Sequence, residues 1–366
     1  MNRKITSESV TEGHPDKICD KISDKILDTA LKEDKYSKMA VETTIKDNLI
    51  FIYGECKTKA KLNYEKIAKE VIKDIGYTEK FEVITKISNQ SPEINNAVCK
   101  ENITAGDQGI MFGYATNETK ELMPLPSLIA NNITKELANV RKKDKNSPLL
   151  PDGKSQVTVE YENNIPKRID TIVVATQHKK NITQEELKEY VAKNIINKIV
   201  PKKYIDANTK ILINTSGSFI LGGPFADSGT TGRKIVVDAY GGSAKVGGGC
   251  FSSKDPTKVD RSAAYYARYV AKNIVHNNLC DQCEVGVSYT IGTSNPISIN
   301  IETFNTNKVS LEKIYDFTYK HFNFSVDNII KELDLLNPIY YQTASYGHFG
   351  RTDIELPWEK VKEFKI

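Results

Sequence analysis

One pattern constrains this 366-residue chain more than any other: a helix, a pair of strands and a second helix recur three times along it. Pro15 to Leu31 reads as a helix because Ile18, Ile22, Ile26 and Ala30 return every fourth residue on one face. Met39 to Cys56 reads as two strands around a turn at Lys46–Asp47–Asn48. Ala60 to Ile75 is a second helix, closed by Gly76. The order repeats as a helix over Ser127 to Arg141, a hairpin over Gln156 to His178 turning at Glu162–Asn163–Asn164, and a helix over Gln184 to Ile199. It repeats again over Pro256 to Ile274, Cys283 to Phe304 and Ser310 to Phe322. The hairpins begin near residues 39, 156 and 283, a period of about 120 residues and too long for a solenoid. It suits an α/β (α+β) chain of three similar domains, each a sheet covered by helices. Chance recurrence of a common arrangement is the alternative.

Ser91 to Gly106 lacks periodicity and is long for an idle connection, which fits a functional loop. Leu221 to Gly232 reads as a second linker, and Lys142 to Gly153 as a polar surface loop. Charge and hydropathy narrow the function. Fifty-one basic against 47 acidic residues leave +4, which gives no electrostatic footprint for nucleic acid or an anionic membrane. No apolar stretch approaches the ~18–20 residues of a membrane span. The N-terminus, MNRKITSESVTEGH, lacks the apolar run of a secretory signal. A cytoplasmic protein with free thiols at its six cysteines is expected. Cys280 and Cys283 form a CxxC, but with no second pair and no histidine adjacent they read as small residues at a strand edge rather than zinc ligands.

The chemistry concentrates at two helix starts. In Gly13–His14–Pro15–Asp16–Lys17 the proline suits the first helical turn. The free N–H donors and partial positive charge of a helix N-terminus suit a phosphate. His14 and Lys17 add donors, and Asp16 is a carboxylate for a divalent metal. The second start follows Gly247–Gly248–Gly249–Cys250–Phe251–Ser252–Ser253–Lys254–Asp255–Pro256, with Lys258 and Asp260 beyond. Glycines let backbone N–H groups approach an anion closely. The spacing is not that of a Walker loop. Each start also reads as an ordinary capped helix or surface loop. Together they suggest a polyphosphate held by lysines and bridged by Mg²⁺, which takes one or two carboxylates plus phosphate oxygens and water. Two more segments, Thr104 to Tyr114 around Asp107 and Phe225 to Lys234, set charged residues among glycines.

These segments resemble the S-adenosylmethionine synthetase (methionine adenosyltransferase) family. The match runs from Ser7 to Trp358 through SESVTEGHPDKICDKISD, AGDQGIMFGYATNET, KSQVTV, LGGPFADSGTTGRKIVVDAYGG, GGGCFSSKDPTKVDRSAAYYARYVAKN and YGHFGR. The resemblance implies three structurally similar domains, each a mixed sheet with helices on one face, in a pseudo-threefold arrangement. Their expected spans are 1–92, 104–220 and 222–358, with 93–103 a mobile active-site loop. It implies a dimer or tetramer with shared active sites, ATP and L-methionine as substrates, and two Mg²⁺ and one K⁺ per site. In the implied reaction the methionine sulfur attacks C5′ of ATP and displaces triphosphate, which is then hydrolysed to phosphate and pyrophosphate.

Carried over by motif, His14 contacts the triphosphate and the reacting centre. Asp16 and Asp260 hold Mg²⁺, and Glu42 holds K⁺. Glu55, Gln90, Asp227 and Lys258 contact methionine. Lys154, Phe219 and Asp227 contact the nucleoside. Arg233, Lys234, Lys254 and Lys258 bind phosphates beside Cys250, and Asp107 orders the site. Three residues depart from the family pattern. Ser218 stands where Arg is usual, and Cys250 and Ser253 stand for Ala and Gly in the glycine loop. Ser253 strains that loop if its position needs positive φ. A Mg²⁺-dependent phosphohydrolase using the same polyphosphate site, and a regulatory subunit that keeps the fold without the activity, are the competing readings. The retained His14, Asp16, Lys254, Lys258 and Asp260 speak against the second.

Overall fold

The computed structural model describes residues 2–89 and 103–364. Strand β1 (Asn2–Val10) leads into helix α1 (Pro15–Glu33), the hairpin β2 (Lys38–Lys46) and β3 (Leu49–Lys57), helix α2 (Tyr64–Ile75) and strand β4 (Glu82–Asn89). Strand β5 (Gly109–Thr116) leads into α3 (Leu125–Lys143), the hairpin β6 (Leu149–Glu162) and β7 (Ile165–His178), α4 (Gln184–Val191) and β8 (Lys210–Ile213). Strand β9 (Gly229–Thr230) precedes α5 (Val259–His276), the hairpin β10 (Gln282–Tyr289) and β11 (Ser298–Glu302), then α6 (Leu311–His321) and α7 (Val326–Glu332). The expected recurrence is present, with a strand added ahead of each unit.

That added strand does not join its own hairpin. The sheets run β4-β3-β2-β9, β1-β6-β7-β8 and β11-β10-β5. β1 precedes the first unit but pairs antiparallel with β6 of the second, from Asn2↔Glu162 to Val10↔Lys154. β5 precedes the second unit but pairs with β10 of the third. β9 precedes the third unit and returns to β2 of the first, through Thr44↔Thr230. The exchange is cyclic, and it relates the three sheets as a pseudo-threefold set. The first helix of each unit covers the matching sheet: α1 lies on β2 and β9, α3 on β6 and β1, and α5 on β5 and β10. One apolar core fills the space beneath α1, α2 and α5, and a second lies between α3, the β6–β7 sheet and α4.

Local chemistry explains most boundaries. Asn163 and Asn164 both take positive φ, 50° and 65°, as a tight two-residue hairpin turn requires. Gly76 ends α2 in the left-handed region at φ 108°. The expected start at Ala60 moves to Tyr64, where the Asn63 side chain accepts from the Lys66 N–H. The expected start at Pro256 moves to Val259, because the Asp255 carboxylate accepts from the Thr257 N–H (3.0 Å) and hydroxyl (2.6 Å) and folds that stretch into a turn. The helix after β7 passes through a π-helical stretch, Ala192–Ile196, before ending at Ile199.

One loop expectation is corrected in part. Lys142 to Gly153 is an exposed polar turn only over its first half, where 142–146 are exposed. α3 runs to Lys143 and β6 begins at Leu149, with Leu149, Pro151, Asp152 and Gly153 all buried. Leu149 anchors this stretch in the second core, and Thr11 binds Pro151 and Gly153. Leu221 to Gly232 carries the short strand β9. Cys280 and Cys283 sit buried at the start of β10. No described helix is long and apolar enough to cross a membrane.

Candidate active site

Helix α1 is a two-sided rod. Ile18, Ile22, Ile26 and Ala30 are fully buried in the core. Asp16, Asp20, Asp24 and Asp28 stand at the same four-residue spacing on another side, and all are buried. Like charges at this spacing repel on a solvated helix, and buried ones need partners. The later part of the chain supplies them. Asp16 accepts from the Thr230 N–H (3.0 Å) and pairs with Lys234. Asp20 accepts from the Gly232 N–H (2.8 Å) and from Lys17 (3.0 Å), which also pairs with Asp238. Asp24 accepts from the Ser253 N–H (3.0 Å), the Ser252 hydroxyl (3.0 Å) and both arms of Arg261 (2.7 Å each). Asp28 accepts from the N–H groups of Tyr340 (3.0 Å) and Tyr341 (2.9 Å). The helix therefore pins the 230–234 segment and Ser252–Ser253 at the end of the glycine-rich loop.

His14 is the N-cap of α1. Its Nδ1 accepts from the Asp16 N–H at 3.2 Å, so the ring proton belongs on Nε2. Burial, followed by the charges of Lys234 and Lys154, pushes its pKa down to about 3 against the opposing pull of Asp16 and Asp227. The site thus presents a neutral imidazole with an N–H donor at a helix N-terminus, beside Lys234 and Lys154. Burial raises the Asp16 pKa, but Lys234 and the Thr230 N–H outweigh it and hold the carboxyl below its ordinary value.

Two separate stretches of the later chain, β9 and the residues around Lys254, meet the edge of β2 that β3 leaves free. Thr44 pairs with Thr230, and Ala40 bridges Lys254. Four residues of strand put these points about 13 Å apart. Asp16, Arg233 and Lys234 gather at one end, with the Arg233 Nε 3.7 Å from Asp16. Lys254 and Asp260 pair at the other, where Lys258 pairs with Asp255 at 2.6 Å. Gly249 lies so near Asp260 that a Cβ there would overlap the carboxylate and force that side chain aside. Asp107 acts on Lys254, whose ammonium is depressed by burial but raised further by Cys250, Asp260 and Asp107. Cys250 packs against Gly232, between the two ends. Burial pushes its thiol up to about 11, over the opposing charge of Lys254. Glu42 stands midway on the same face of β2 as Ala40 and Thr44 and accepts from the Tyr53 hydroxyl at 3.3 Å. Glu55 lies across the sheet from Ala40.

A third group surrounds Lys154 and Asp227. Phe219 donates its N–H to His178 Nε2 (3.0 Å), Gln177 binds the Ile220 carbonyl (3.0 Å), and Gly223 donates to Asp152 (2.8 Å). Ser218, beside Phe219, is exposed. Sequence reasoning missed Asp152. It is 5% exposed, and its Oδ1 has no hydrogen-bond partner within the chain. Burial pushes it up to about 6, against the Gly223 N–H and Lys154. The available signal was an acid two residues before Lys154 in PDGK. The aspartates at 20, 24 and 28 were also missed, although their spacing is plain in the sequence. Gln90 and residues 93–102 of the expected loop at 93–103 lie outside the described residues.

No group of three His, Cys, Asp or Glu side chains suited to a metal occurs among the described residues. Asp16 and Asp260 each stand beside lysine rather than a second carboxylate. They fit a divalent ion that completes its shell with phosphate oxygens and water.

Three family profiles match the chain. That of the S-adenosylmethionine synthetase N-terminal domain matches residues 2–98, that of the central domain 102–219, and that of the C-terminal domain 221–360. S-adenosylmethionine synthases from two strains of Staphylococcus epidermidis are each 50% identical to it over 386 aligned positions, spanning 100% of this chain and 97% of the relative.

Proposed function

The chain belongs to the S-adenosylmethionine synthetase family and is an enzyme of that family, and from this premise we propose how its own residues carry the reaction. The substrates are ATP and L-methionine. The methionine sulfur attacks C5′ of ATP and expels triphosphate, which the enzyme then hydrolyses to phosphate and pyrophosphate. A thioether has no proton to lose, so the first step needs no general base. It needs a leaving group whose charge is neutralised and a sulfur held in line with C5′.

Arg233, Lys234, Lys254 and Lys258 supply positive charge to the triphosphate. His14 donates its Nε2–H to the same tail. Asp16 and Asp260 would hold Mg²⁺, two ions per site, which when bound offset phosphate charge. Lys234 and Lys254, now paired with those aspartates, would turn to the phosphates. Glu42 would hold K⁺, and Asp107 and Cys250 border the Lys254 end. Lys154 and Phe219 bind the nucleoside, and the unpaired Oδ1 of Asp152 is an acceptor for one of its hydroxyl or amino groups. Asp227 serves nucleoside and methionine together, with Glu55, Gln90 and Lys258 completing the methionine site. Domains over 1–92, 104–220 and 222–358 meet at these segments, and two copies of the chain share each site. The enzyme works in the cytoplasm.

The observation that carries this reading is the pair of lysine–aspartate ends about 13 Å apart along the β2 edge, estimated from strand rise. The direct test incubates the purified chain with ATP, methionine, Mg²⁺ and K⁺. S-adenosylmethionine, phosphate and pyrophosphate are expected. Phosphate release with no sulfonium product would instead favour the phosphohydrolase.

A further inference from the structure

Sulfonium formation, as proposed, needs two stretches of backbone in register. One carries His14 to the triphosphate. The other, Phe219 to Asp227, carries the nucleoside and methionine contacts. Tyr77, in the turn after α2, touches both. It is 7% exposed, and its hydroxyl donates to the carbonyl of Gly13, the residue before His14, at 2.7 Å. The same hydroxyl occupies the space a Cβ on Gly223 would need, and Gly223 takes φ +60°. The second stretch therefore rests directly on the phenol. Four residues on, the Phe81 ring packs on Phe225 with centroids 5.9 Å apart.

Tyr77 is itself held firmly. Its N–H bonds the Ile72 carbonyl at 3.2 Å as part of the α2 cap. Burial pushes its pKa up, so it remains a donor. Gly13 is tethered from its other side, because the buried Glu12 accepts from Lys21 (3.2 Å), Arg141 (3.0 Å) and Lys142 (2.7 Å). The Gly13 carbonyl thus meets a fixed hydroxyl from a fixed position.

We infer that Tyr77 is a positioning residue for sulfonium formation, its hydroxyl setting the spacing between the His14 stretch and the Phe219–Asp227 stretch. This rests on the proposed reaction and adds a consequence to it. Attack at C5′ draws on both stretches. Hydrolysis of triphosphate draws on the phosphate-side groups, His14, Asp16, Arg233, Lys234 and Lys254. Loss of the hydroxyl therefore slows the first step more than the second.

The test compares the full-length chain with Tyr77→Phe, with Mg²⁺ and K⁺ present throughout. S-adenosylmethionine formation from ATP and methionine is measured beside hydrolysis of added tripolyphosphate. In the variant, kcat for sulfonium formation falls roughly ten- to a hundredfold, the scale of an ångström-size misalignment. Tripolyphosphate hydrolysis stays within a few-fold of the parent. A purely structural defect would lower both alike, so equal losses, or no loss, overturn the inference. If Tyr77→Phe does not fold, Gly223→Ala places a Cβ against the Tyr77 hydroxyl and disturbs the same contact. It should give the same split, and equal losses there are equally fatal. An unmodified chain that makes no sulfonium compound overturns the proposed reaction itself, and this control is read before any variant.

Discussion

Ser253 shows what a single residue can cost. Its φ of +80° lies where side chains are disfavoured, in a loop where the family pattern has glycine. The expectation of strain there was readable from the sequence; the angle itself was not, because it depends on the bond from the Ser253 N–H to Asp24. Ser253→Gly keeps that bond, so the unfolding free energy should rise by about 0.5–1 kcal/mol after the extra chain entropy of glycine is offset. A lower urea midpoint at unchanged slope would contradict this. A tighter nucleotide KM should accompany it. His14 gives a pH signature. Its pKa falls from 6.5 to about 3 on folding, so its contribution to stability is whole above pH 6.5 and is lost as the pH drops towards 3. His14→Asn retains a capping acceptor without this proton. Between pH 7 and pH 5 the chain with histidine should lose about 2 kcal/mol relative to the variant. Parallel denaturation curves at the two pH values check it. Sequence pattern alone identified His14 as a helix start, but its neutrality comes from burial beside Lys234 and Lys154, which no local pattern encodes.

At the level of the element, α1 was legible for its apolar face, while its polar one went unread. Ile18, Ile22 and Ile26 announce a helix. Asp20, Asp24 and Asp28 resemble an ordinary solvated face until their partners, some 200–300 residues away, are known. Arg261 and Asp24 form a fully buried pair, each with a side chain at 0% exposure. Removing one partner leaves an uncompensated buried charge, so Asp24→Asn or Arg261→Met alone should destabilise the chain by about 3–5 kcal/mol. The double variant should recover about 2 kcal/mol of the summed loss, because neither charge is then stranded. Additive losses in the double-mutant cycle would show that the pair is not coupled.

For the molecule as a whole, the repeat announced three sheets correctly but said nothing of how they are shared. Alternation of apolar residues shows that a strand exists; its partner is chosen by contacts distant in sequence. The face of the first sheet away from α1 remains open, with Phe51 stacked on Tyr53 at 5.1 Å and the neighbouring Ile84 46% exposed. Glu42 and Glu55 lie on that same face. If two copies meet there, Phe51→Lys should yield a monomer by sedimentation and abolish S-adenosylmethionine formation without unfolding the chain. A monomeric parent would refute shared sites, and a variant that still associates would refute this face as the interface.

The cyclic loan of strands also has a meaning for biosynthesis. As the polypeptide leaves the ribosome, β2 and β3 appear early, yet the edge of β2 has no partner until Gly229 and Thr230 are made. Strand β5 likewise waits for β10, which is synthesised long after it. A nascent fragment ending anywhere before residue 229 keeps an unsatisfied strand edge, which makes early release a hazard for aggregation.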